Sequence, residues 1–167
     1  MTTAQSEYLL ALAALALSFV GFSAIVVTLR GALGGELSPR HIRLVCLYIE
    51  GGLLVTVLAL APALLNVLGV ESRAIWRLCS VTAALVFAVF LLIQARRRRA
   101  VEAGNFPAWV IVTNVVSAVT VLALVLNALG APFGPSMGPY AAVLTWALSV
   151  IGFIFIGTTE LILYKPS

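Results

Sequence analysis

Long apolar runs alternate with short polar breaks along this chain, and the breaks hold most of its charge. The runs cover about 8–29, 42–70, 74–94, 107–130 and 140–164. Each can bridge a hydrocarbon core of ~30 Å at a rise of ~1.5 Å per residue. Runs of that length with almost no charge mark membrane spans rather than the core helices of a soluble domain. The pattern predicts an all-α integral membrane protein, with residues 1–167 forming a single five-helix transmembrane domain.

The breaks carry turn chemistry. Gly31 to Arg40 reads GALGGELSPR, Glu71 and Ser72 make a short connection, and Ala131 to Pro139 reads APFGPSMGP without a charge. Pro62 falls inside the second run and removes one backbone donor there, which predicts a kink. Pro107 suits the first turn of the fourth span. The first run is read as a retained span, not a signal peptide. No Lys or Arg precedes Tyr8, and the run is too long for a signal's apolar region.

Charge sets the orientation. Arg30, Arg40, Arg43, Arg96, Arg97, Arg98, Arg99 and Lys165 fall on one side of the predicted membrane, and only Arg73 and Arg77 on the other. Positive charge concentrates on cytoplasmic loops. The first and third loops and the C-terminus are therefore expected in the cytoplasm and the N-terminus outside. The net charge of +4 reports this topology, and no nucleic-acid partner is expected. With 62% hydrophobic and 10% charged residues, the chain lacks the charge to coat a soluble domain. Cys46 and Cys79 lie in different spans near opposite faces, where each is expected to pack as a small apolar residue.

A short repeat runs through two spans of the same direction. Val55-Thr56-Val57-Leu58-Ala59-Leu60 recurs as Val119-Thr120-Val121-Leu122-Ala123-Leu124, with Glu50 aligned to Asn114.

Several chemistries are excluded by what the chain lacks. One histidine, His41, cannot supply two axial haem ligands, and there is no Cys/His cluster for zinc. The single lysine, Lys165, lies at the terminus, out of reach of a Schiff base within the bundle. There is no aspartate for a Ser-His-Asp triad and no phosphate-binding glycine motif. No enzyme, cofactor or metal site is expected.

What remains is polar chemistry inside apolar spans. Glu50, in Leu47-Tyr48-Ile49-Glu50-Gly51-Gly52, lies about eight residues into the second span, roughly 12 Å deep. Asn114 lies at similar depth in the fourth span, and Glu160 lies a few residues from the cytoplasmic end of the fifth. A carboxylate inside a membrane is costly and belongs in the bundle interior or a wet cavity. Thr113, Ser117, Thr120 and Asn127 share one face of the fourth span, a stripe that can line a path or pack helices. Ala14, Ser18, Gly21 and Thr28 form a small-residue seam on the first span. Arg96, Arg97, Arg98 and Arg99 fit anionic lipid headgroups as well as topology.

These residues lead to an expected function: a small homo-oligomeric channel or channel-like conductor, favouring a cation or proton, with an inner-leaflet carboxylate site. The alternatives are a non-catalytic accessory or assembly subunit of a larger membrane complex, or a small transporter. Expected partners are membrane lipid, further copies of the chain and a permeant ion or proton. The expected location is a bacterial cytoplasmic membrane.

Overall fold

A computed structural model describes residues 1–32, 39–101, 108–131 and 134–164. These residues form five α-helices, and no strand occurs among them: α1 (Thr3–Ala32), α2 (Pro39–Val67), α3 (Ser72–Val101), α4 (Ala108–Leu129) and α5 (Met137–Tyr164). Among the described residues three stretches are long and apolar enough to cross a membrane: Thr3–Leu29, Val45–Val67 and Ser72–Arg97. The chain is on that ground a membrane protein.

The helix ends differ from the apolar runs because polar groups at the ends hold the last turns. α1 starts five residues before its run. Thr2 Oγ1 accepts from the Gln5 N–H at 3.3 Å while Gln5 Oε1 accepts from the Thr2 N–H at 2.9 Å, a reciprocal capping box. α2 opens on Pro39, whose fixed φ and missing N–H suit a first turn. α3 runs on through its arginines to Val101, because arginine is a good helix former and positive charge complements a helix C-terminus.

α2 and α4 end in the same way. Gly69 (φ 77°) and Gly130 (φ 81°) take the left-handed conformation that closes a helix. The N–H of Val70 bonds the Leu65 carbonyl at 3.1 Å and that of Gly69 bonds Asn66 at 3.1 Å. Ala131 bonds Leu126 at 3.0 Å and Gly130 bonds Asn127 at 3.1 Å in the same register. Both caps are written by the same pattern, Asn66-Val67-Leu68-Gly69 and Asn127-Ala128-Leu129-Gly130. The caps lie 61 positions apart and the repeated segment of the two runs 64, so the caps do not continue the repeat in register. α2 stays helical through Pro62, which is fully buried.

The helices form two compact units, Met1–Ala63 with Leu144–Ser167, and Leu64–Val143. In the first, α1 buries Leu9, Leu12, Ala13 and Ala16 along one face. At Gly52 the backbone of α2 comes so close to α1 that a Cβ would stand 2.6 Å from Val20 Cγ2 and 3.4 Å from the Ala16 carbonyl oxygen. Small residues permit such approach where apolar burial gives no preference between helix and lipid. In the second unit, α3 packs on α4. α3 buries Ile75, Trp76, Cys79, Ser80, Ala83 and Ala84, a face at helical period, and Trp76 packs on Tyr140 at a centroid distance of 6.0 Å.

Candidate functional site

Glu50 is half-buried on α2, between buried Tyr48 and buried Gly51 and Gly52. The helix there is held from two sides. Phe155 of α5 meets Tyr48 edge-on at 5.8 Å and Phe19 of α1 at 6.1 Å, so three helices share one aromatic cluster within two turns of Glu50. The Thr56 hydroxyl donates to the Gly52 carbonyl at 2.8 Å, which satisfies it within its own helix. Glu50 is thus the one carboxylate in the apolar stretch Val45–Val67, set beside the buried Gly51 and Gly52.

The other expected members of the site divide between the two units. Glu160 belongs to the first, and Thr113, Asn114, Ser117, Thr120 and Asn127 belong to the second. The backbones of Thr113, Asn114, Glu160, Arg98 and Arg99 are helical, and their side chains lie outside the described residues. Arg96 and Arg97 are exposed in the last turns of α3.

Within the α4 stripe, Ser117 and Thr120 are half-buried, and the Thr120 hydroxyl donates to the Ser117 carbonyl at 2.7 Å. Asn127 is 3% exposed and spends its whole amide on neighbours. Its Nδ2 donates to Ser80 Oγ at 2.8 Å and to the Ser136 carbonyl at 3.0 Å, and its Oδ1 accepts from the Ser136 N–H at 3.1 Å. Asn127 therefore braces α3, α4 and the end of the α4–α5 connection. Beside it, Leu124 and Ala128 are buried, while Val115, Val119 and Leu122 face outward.

On α1 the seam of Ala14, Ser18, Gly21 and Thr28 is exposed, and a Cβ at Gly21 would meet nothing within 4 Å. Its hydroxyls bond their own helix, Ser18 to the Ala14 carbonyl at 2.8 Å and Thr28 to Ala24 at 2.9 Å.

Sequence reasoning passed over two kinds of residue. Ser80 and Gln94 are buried polar side chains of α3. A polar residue recurring inside an apolar run was the available signal for both. Arg77 is the other: its Nε donates to the Ala128 carbonyl at 3.2 Å, a cation on the carbonyl end of α4. Among the described residues there is no group of three or more His, Cys, Asp or Glu side chains that could hold a metal ion. No family model, curated protein or solved structure matches this chain.

Proposed function

We propose that all five helices cross a bacterial cytoplasmic membrane, with the N-terminus outside and the C-terminus inside. In this reading copies of the chain assemble into a non-catalytic channel-like conductor for protons or small cations. Lengths support the two further crossings: α4 has 22 residues and α5 has 28, about 33 Å and about 42 Å of helix. The asymmetry of Lys and Arg supports the orientation. The exposed Ala14, Ser18 and Gly21 seam supports self-association, since it lets another backbone approach closely.

The observation that carries the functional reading is Glu50, a carboxylate within an apolar membrane-length helix and beside two buried glycines. Ionisable groups in such segments concentrate at ion and proton pathways. Glu160, a few residues from the cytoplasmic end of α5, would add a second carboxylate, and Asn114, Ser117 and Thr120 would make α4 a polar path-lining helix. Arg96, Arg97, Arg98 and Arg99 would hold the cytoplasmic face on anionic lipid.

The test is flux in liposomes of defined lipid. Wild-type protein should carry protons or monovalent cations, and Glu50→Gln should lower the rate about tenfold or move its pH dependence while elution volume and helicity stay unchanged. Equal rates and equal pH dependence would make Glu50 structural. Asn127 favours a second reading, an accessory or assembly subunit, because its polar groups are consumed by packing rather than turned to a path. Wild-type protein without flux in any of these assays would favour that reading.

A further inference from the structure

α3 carries positive charge at both ends, and the two ends differ in physical sense. Arg96 and Arg97 near its C-terminus complement the helix dipole, whereas Arg73 and Arg77 stand in its first two turns, where cations are unfavourable. Arg77 has a partial explanation in its bond to the Ala128 carbonyl. That bond uses Nε and leaves the four Nη hydrogens for another acceptor. Arg73 has none: it is exposed, and its guanidinium makes no ion pair or hydrogen bond among the described residues.

Both arginines line a cavity of about 720 Å³ in the second unit, between the start of α3 and the end of α4. Glu71 lies on the same wall, and Leu78, Leu129 and Pro135 make the apolar remainder. Two guanidinium groups and one carboxylate leave a local charge of one positive unit. The complement is one negative charge with several acceptor oxygens, which guanidinium forks bind well. The apolar wall adds room for carbon next to that charge.

The geometry points to this cavity as a binding site for a singly charged phosphate group, either the phosphodiester of an anionic lipid headgroup or free phosphate. It is separate from the Glu50 region and stands whether or not the chain conducts. In it the four Nη hydrogens of Arg77 and the fork of Arg73 reach the phosphate oxygens, and Glu71 disfavours a doubly charged ligand. Leu78, Leu129 and Pro135 accept the glycerol carbons when the source is a lipid.

Two arms distinguish the sources. Full-length protein in zwitterionic nanodiscs is titrated with inorganic phosphate by calorimetry, and protein in mild detergent is mixed with phosphatidylglycerol or phosphatidylcholine and its retained lipids counted by native mass spectrometry. Retention of phosphatidylglycerol over phosphatidylcholine that Arg73→Glu removes identifies a lipid headgroup, and saturable phosphate binding that the same variant removes identifies the free ion. Arg73→Gln should weaken whichever is seen by roughly fivefold, and Arg73→Glu should abolish it. Arg73 is exposed and makes no hydrogen bond or ion pair among the described residues, so the test does not depend on the stability of an Arg77 variant. Absence of binding in both arms, or binding unaltered by Arg73→Glu, would overturn the proposal.

Discussion

Three hydrogen bonds converge on Asn127, and they join residues that the sequence separates by 47 and 9 positions. Inside a membrane each such bond is worth little alone, about 0.6 kcal/mol on average, but an unpartnered buried amide costs more. Asn127→Leu should lower the melting temperature in detergent by a destabilisation of about 1–3 kcal/mol. Ser80→Ala, which removes one bond, should cost less. If Asn127→Leu melts with the wild type, the amide is not a brace. At Gly52 the argument is steric. The Cβ of an alanine would stand 2.6 Å from Val20 Cγ2, and valine is too stiff at χ1 to yield easily. Gly52→Ala should therefore destabilise the protein by about 1–3 kcal/mol, read in the same melting assay, while Gly21→Ala, with open space around it, should leave the fold unchanged. The sequence shows polar and small residues at these positions, but not which of them face a neighbour. Asn127 reads equally well as part of a stripe facing a path until Ser80 and Ser136 are seen against it.

The elements themselves were legible. Five apolar runs became five helices, because every backbone group in such a run can bond within its own helix and charge interrupts it seldom. Their ends were less so. The second run continues to Val70, but α2 ends at Val67, because Gly69 takes a positive φ and turns the chain. α3 passes the end of its apolar run at Gln94, since Arg96 and its neighbours carry helix as well as leucine does. Hydropathy sees side-chain transfer into lipid, whereas caps depend on backbone bonding and φ. The two glycine caps give a test at this scale. Gly69→Ala meets only the backbone penalty, about 1–2 kcal/mol, and Gly130→Ala adds contact with Pro135 Cδ at 3.3 Å. The Gly130 variant should melt lower than the Gly69 variant, and the reverse order would show that α4 does not depend on its cap.

On the scale of the whole molecule, large apolar side chains stand exposed on every helix, among them Leu17, Phe22, Val57, Leu92, Val119 and Phe153. In water such surfaces would drive aggregation, and in a bilayer they are the lipid contact. The proposed self-association would use the same surface. Mass measurement in mild detergent and in lipid nanodiscs should find an oligomer, and substitution of Ala14 and Gly21 by leucine should shift it towards monomer. Monomers under both conditions would remove the shared path from the account. The candidate site was legible only as far as Glu50 itself, since a carboxylate in an apolar run is visible in one sequence while its helix neighbours are not. Everything proposed for that site depends on which side of the membrane each loop occupies. The direct measurement is cysteine labelling in sealed cells, in a background where Cys46→Ser and Cys79→Ala remove the native thiols. A thiol from Ser136→Cys should react with a membrane-impermeant reagent applied outside, and one from Ser38→Cys should react only after the membrane is opened. Labelling of Ser38→Cys in sealed cells with Ser136→Cys protected would invert the orientation, and labelling of both would contradict alternate crossing by the helices between them.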